Sequence, residues 1–106
     1  MATDFASLCD EIDALAQTPA SVPIELDALE RTLTDGYAKA LLLEAEQWRL
    51  ERRMSELAAE VNGVNKEDTA EELAGLAVRL THASDDLTRL RGLLASLRAR
   101  RAKALA

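Results

Sequence analysis

The residue types that carry most enzyme chemistry are scarce in this sequence and are not clustered. His82 is the only histidine, and the four glycines are scattered, so no glycine-rich loop could hold a phosphate group. Close carboxylates do occur, but at positions where the solvent-facing side of a helix would carry them: Glu44 and Glu46, Glu71 and Glu72, Asp85 and Asp86. We therefore expect no catalytic activity, no cofactor and no metal site.

The basic end of the chain is the strongest candidate for binding a charged partner. From Thr88 onward there are six basic residues and no acidic one, although the chain as a whole has a net charge of −6. Clustered arginine and lysine side chains on a helix can bind the phosphates of a nucleic acid. The residues that would contact an anionic partner are Arg98, Arg100, Arg101 and Lys103.

The acidic front of the chain weakens the nucleic-acid interpretation. The first 35 residues carry eight acidic side chains and one basic one. If the chain folds back on itself, these acids lie beside the basic end and neutralise it. Aromatic residues make up only 3% of the sequence, which also argues against stacking on single-stranded nucleic acid. Nucleic-acid binding is therefore our alternative function and not the preferred one.

Composition predicts an all-α fold in a single domain. Of the 106 residues, 48% are hydrophobic, and most of these are alanine and leucine, which are strong helix formers. Cys9 is the only cysteine, so no disulfide can form within the chain. The sequence has an acidic residue at position 4 and no long apolar run, so we expect a cytoplasmic protein that does not enter membranes.

A short amphipathic helix is predicted over residues 4–17, followed by a connector over residues 18–23. The apolar face of this helix consists of Phe5, Leu8, Ile12 and Leu15. The helix should end before Pro19, because a proline disfavours helical geometry in the residue before it. In the next helix, we expect Pro23 in the first turn and Ser21 as its cap.

A second helix is predicted over residues 24–61 from an unbroken seven-residue repeat. Such a repeat keeps one seam of apolar side chains facing one partner helix over many turns. Its only polar side chain is Gln47, and Gly36 is its weakest point as a helix. The seam positions are Leu26, Leu29, Leu33, Gly36, Ala40, Leu43, Gln47, Leu50, Met54, Leu57 and Val61.

A turn over residues 62–68 should join this helix to a third one over residues 69–104. Asn62–Gly63 is typical of a helix end, and Thr69 with Glu72 has the spacing of a capping box. The same repeat then resumes, which predicts an antiparallel, coiled-coil-like hairpin. The seam positions of the third helix are Leu73, Leu76, Leu80, Ala83, Leu87, Leu90, Leu94, Leu97, Arg101 and Ala104.

Side-chain volumes support this pairing of the two long helices. Folding the chain about residue 65 places Gly36 opposite Leu94 and Ala40 opposite Leu90, so a small residue meets a large one. This complementarity predicts that the second helix continues through Gly36.

An apolar patch outside the seam is the feature that bears most on function. Leu41, Leu42, Ala45 and Trp48 fall on the outer side of the second helix, where a two-helix hairpin should be polar. The short connector returns the first helix only as far as about residue 38, which leaves this patch uncovered. Exposed apolar patches commonly mark protein interfaces.

We expect a homodimer of four-helix type and a non-catalytic interaction module, such as an adaptor, a scaffold or a helical chaperone. A small-molecule or metal site near Gln47 and His82 is a weaker alternative.

Overall fold

The structure, a computed structural model, describes residues 4–60 and 66–106, which form three α-helices. Helix α1 is Phe5–Ala16, α2 is Leu26–Glu60 and α3 is Lys66–Leu105. No β-strand occurs in these two ranges, so the all-α prediction is confirmed. The helices contribute to two compact units. The first contains α1, the connector, α2 up to Leu41 and α3 from Thr88, and the second is Leu42–Leu87.

Helix α1 has a defined cap at each end and one buried face. The carboxylate of Asp4 accepts a hydrogen bond of 2.7 Å from the main-chain N–H of Ser7. This bond satisfies one of the donors that a helix leaves unpaired at its first turn. At the other end, the hydroxyl of Thr18 donates to the carbonyl oxygen of Ala14. On the predicted apolar face Leu8 and Ile12 are buried, while Phe5 and Leu15 are only partly buried.

The cap of α1 should make its stability depend on pH. Hydrogen bonding to the main chain and hydroxyl of Ser7 lowers the pKa of Asp4 below its ordinary value. A carboxylate with a lowered pKa stabilises the fold above its unfolded pKa, and this contribution is lost as the pH falls through the folded pKa. On acidification below about pH 4, we expect the exchange protection of the Ser7 amide to fall. The variant Asp4→Asn keeps a capping oxygen that does not titrate, so it should lack this step. A parallel loss in both proteins would show that another group is responsible.

Helix α2 begins two residues later than predicted. Its first turn is closed by a hydrogen bond of 3.1 Å from the N–H of Leu29 to the carbonyl oxygen of Glu25. Pro23 therefore precedes the helix and is not in its first turn, and Ser21 does not cap it. The two residues belong to the connector, where the N–H of Val22 donates to the carbonyl oxygen of Pro19 and forms a tight turn.

The seam of the first unit is buried between Leu29 and Leu97, whereas the predicted seam residues Leu26 and Ala104 at its end are exposed. Leu29, Leu90 and Leu97 have no exposed surface, and Leu33 and Leu94 are 5% or less exposed. Helix α2 is continuous through Gly36, as predicted. A Cβ atom placed on Gly36 would lie 2.5 Å from Cδ2 of Leu94, so the expected contact between these two positions is confirmed.

The seam of the second unit has the predicted antiparallel pairing but is less deeply buried. Its core is formed by Leu50, Leu57, Leu76 and Ala83, with partly buried side chains packed against it: Met54, Leu73 and Leu80. Two polar contacts show the relative direction of α2 and α3. Gln47 donates to the hydroxyl of Ser84 at 2.8 Å, and Arg53 pairs with Glu72 at 3.2 Å. Partner numbers fall on α3 as residue numbers rise on α2, which shows that the helices are antiparallel.

Helix α3 begins at Lys66, three residues before the predicted start. Thr69 therefore lies inside the helix and is not its cap. The first turn contains Glu67 and Asp68, whose negative charges are favourable at a helix N-terminus, and these acids explain the earlier start. The predicted seam residue Val61 and the predicted helix end at Asn62–Gly63 lie outside the described residues.

Candidate interaction surface

The outer side of α2 carries large apolar side chains that no other described residue covers. Trp48 is 77% exposed, Leu41 66% and Leu42 63%, whereas Ala45 between them is partly buried. A single exposed leucine is ordinary in a folded protein, but an exposed tryptophan within two helical turns of an exposed leucine in the same unit is not. Leu42, Ala45 and Trp48 belong to the second unit, and we call these three residues the Trp48 face.

Charged side chains border the Trp48 face on the following turn of α2. Arg49 forms a 2.7 Å ion pair with Glu46, and Arg52 lies 3.6 Å from Glu56. Both arginine side chains remain mostly exposed, at 67% and 85%. A shallow depression in the surface is lined here by Ala45, Trp48, Arg49, Glu51, Arg52 and Ser55. The surface is thus an apolar centre with a polar rim, which is the usual composition of a protein interface.

One carboxylate ties α2 to α3 beside this surface. Glu46 accepts from Arg49 and also from Arg79 on α3, the latter at 3.1 Å. The hydrogen bond from Arg49, with a smaller contribution from Arg79, lowers the pKa of Glu46 below its model value. Glu46 therefore stays charged through the neutral range and holds the guanidinium groups of Arg49 and Arg79.

The four basic residues expected to contact an anionic partner are not placed together as one surface. Arg98 and Lys103 are exposed, whereas Arg100 is only 5% exposed. Arg101 donates through Nε to the carboxylate of Glu30, which neutralises this one basic residue. Arg100 therefore does not lie on the surface where we expected it, because its guanidinium group points into the fold.

The position of Arg100 was missed by the sequence analysis, although the sequence contains a signal for it. The connector contains two prolines, which have no N–H group, so it has fewer main-chain donors than carbonyl acceptors. A carbonyl group without a main-chain donor can accept a hydrogen bond from a side chain elsewhere in the chain. Arg100 does so for Thr18, Pro19 and Val22. Its spacing alone does not distinguish it from its exposed neighbours.

The residues considered for catalysis or ligand binding lie apart or are already engaged. His82 is exposed, and the amide of Gln47 is bonded to Ser84. Asp85 and Asp86 follow His82 by one helical turn, yet in residues 4–60 and 66–106 no group of three or more His, Cys, Asp or Glu side chains is placed to hold a metal ion. Within the same two ranges, none of the helices combines the length and the apolar character needed to cross a membrane.

Comparison of the chain with protein-family models, curated proteins and solved structures finds no match.

Proposed function

We propose that this protein is a non-catalytic interaction module that binds another protein chain through the Trp48 face. The observation that carries the proposal is the 77% exposure of Trp48 together with the 63% exposure of Leu42. Tryptophan is enriched among the few residues that dominate binding energy at interfaces. Burying a large apolar side chain contributes roughly 1.5–3 kcal/mol relative to leaving it in water. The Trp48 face could thus supply a substantial part of a binding energy. An adaptor, a scaffold or a helical chaperone would use such a surface.

The partner in this proposal is a second copy of the chain. Leu42 and Trp48 lie three residues on either side of Ala45. If two α2 helices cross antiparallel with a twofold axis at Ala45, each Trp48 lies level with Leu42 of the other copy. The small alanine allows close approach at the axis, and such self-complementarity is what a twofold interface requires. The arrangement would give the homodimer of four-helix type that the sequence predicts.

Sedimentation velocity over a range of protein concentrations tests this proposal. We expect a dimer for the wild type and a monomer for the double variant Leu42→Ser, Trp48→Ser. Far-UV circular dichroism should be nearly unchanged, because neither side chain lies in the seam. The control is Val78→Ser, which alters a side chain of α3 that is 55% exposed and should leave the dimer intact.

The fluorescence of the single tryptophan gives an independent measure of the equilibrium between monomer and dimer. Emission from Trp48 should move to shorter wavelength as the concentration rises and the dimer forms, because burial removes the indole ring from water. A wild type that stays monomeric, with red emission at every concentration, would rule out self-association. A dimer that survives the double serine change would place the interface elsewhere on the chain.

A further inference from the structure

A buried arginine near the end of α3 holds the connector between α1 and α2. Nε of Arg100 donates to the carbonyl oxygen of Thr18 at 2.8 Å. Its Nη2 donates to the carbonyl oxygens of Pro19 and Val22 at 3.2 and 2.9 Å. All three acceptors belong to the main chain of the connector, while the donor lies about 80 residues away in sequence. One side chain thus fixes the path of the whole connector.

This contact is strong because its donor is charged and lies on a buried side chain. Hydrogen bonds from a charged donor are shorter and stronger than those between neutral groups. Removing a partner from a buried pair also leaves the other polar groups without hydrogen bonds, which adds a further penalty. Arg100 is only 5% exposed, although the three hydrogen bonds that it donates are only partly buried. The attachment of the connector to α3 therefore depends on this one residue.

Helix α1 is too short to be stable without its attachments. It has 12 residues, and isolated helices below about 12–15 residues are marginal in water. Its apolar attachment consists of Leu8, Cys9 and Ile12, all buried, and Cδ1 of Ile12 lies 3.4 Å from where a Cβ of Gly36 would be. Its polar attachment is the connector held by Arg100. Helix α1 is thus held by two attachments, one apolar and one polar.

The burial of the α2–α3 seam in the first unit indicates which part of it α1 covers. In the second unit, where two helices pack without a third, Met54, Leu73 and Leu80 remain partly exposed. In the first unit, by contrast, Leu29 and Leu90 have no exposed surface. Helix α1 packs against the seam at Gly36 through Ile12 and turns the two-helix seam into a three-helix core there. Without α1, the seam around Gly36 would be open on one side.

We propose that α1 and the connector form a strap that Arg100 fastens, and that this strap opens as one unit. When the hydrogen bonds of Arg100 break, α1 leaves and uncovers the apolar seam around Gly36, while the second unit keeps its structure. The strap is therefore a conformational device that controls exposure of an apolar surface on the first unit. It does not depend on the Trp48 face, which belongs to the second unit.

Cys9 provides a built-in probe for the opening of the strap. It is the only cysteine and has no exposed surface, so its thiol can react with the disulfide reagent DTNB only when α1 opens. We expect Arg100→Gln to raise the rate of this reaction at least about tenfold, because several charge-assisted hydrogen bonds are lost. The matched control is Arg98→Gln, which removes the same charge from an exposed position two residues away and should react at the wild-type rate.

Hydrogen exchange by mass spectrometry distinguishes opening of the strap from unfolding of the whole chain. In Arg100→Gln, the amides of α1 should lose protection by the same factor as the thiol of Cys9. Amides around Leu50 and Leu76 in the second unit should keep wild-type protection. Equal loss in both regions would overturn the proposal, because it would mean that Arg100 holds the entire fold. Equal thiol rates in Arg100→Gln and Arg98→Gln would also overturn it.

A second variant covers the case in which Arg100→Gln does not fold. Ile12→Ala loosens the other attachment of the strap and leaves Arg100 in place. It should also speed the reaction of Cys9 and spare the second unit. If Ile12→Ala leaves the thiol rate unchanged, or weakens both units equally, the strap does not open as a unit and the proposal fails.

Discussion

Replacing Gly36 with leucine should lower the free energy of unfolding by about 2–3 kcal/mol, the upper part of the usual range for overpacking a core. A Cβ atom alone would lie 2.5 Å from Cδ2 of Leu94 and 3.4 Å from Cδ1 of Ile12. Both neighbours are buried, at 3% and 0% exposure, so neither can swing into solvent to make room. Urea denaturation followed by circular dichroism measures the change.

The chain offers matched controls for this substitution. Gly75 and Gly92 lie inside a helix as Gly36 does, in their case α3, but a Cβ at either position would meet nothing within 4 Å. Changing either to alanine should stabilise the protein by up to about 1 kcal/mol, because glycine is a poor helix former. Adding Leu94→Ala to Gly36→Leu should restore part of the lost stability, because the smaller alanine makes room for the new leucine. Equal stability of Gly36→Leu and Gly75→Leu would contradict the packing of this layer.

The seam was predictable because it depends on local geometry. A seven-residue apolar repeat directs side chains to one side of a helix whatever the rest of the chain does. Two such repeats joined by a short turn leave little choice of pairing. The contact of Gly36 with Leu94 followed from this register and from side-chain volume alone. Deep burial of the seam in the first unit was not predictable in the same way, since it also depends on where α1 packs.

The features that sequence reasoning missed depend on competition between distant or alternative partners. Arg100 lies among exposed basic residues, and only the path of the connector shows that its guanidinium group is needed inside. The capping box at Thr69 is a valid local signal. The acidic residues before it also favour a helix N-terminus, and the structure uses those instead. Both errors arose because a local pattern can be satisfied in more than one way.

Replacing Leu97 with alanine should have the largest effect of any single truncation considered, lowering the free energy of unfolding by about 4 kcal/mol. Leu97 has no exposed surface and lies in the three-helix part of the fold, where the helices leave little freedom to close a cavity. Urea denaturation at a concentration where the protein is monomeric measures this loss without a contribution from association.

The same truncation at Leu42 is the matched test of the proposed interaction surface. Leu42 is 63% exposed, so Leu42→Ala should change the stability of the monomer by no more than about 0.5 kcal/mol. The two leucines are chemically identical, and only their surroundings differ. A small effect on folding together with weaker self-association would mean that Leu42 contributes to binding and not to the fold. A large loss of monomer stability would mean that Leu42 packs against the chain itself. The Trp48 face would then lose the exposure on which the proposed function rests.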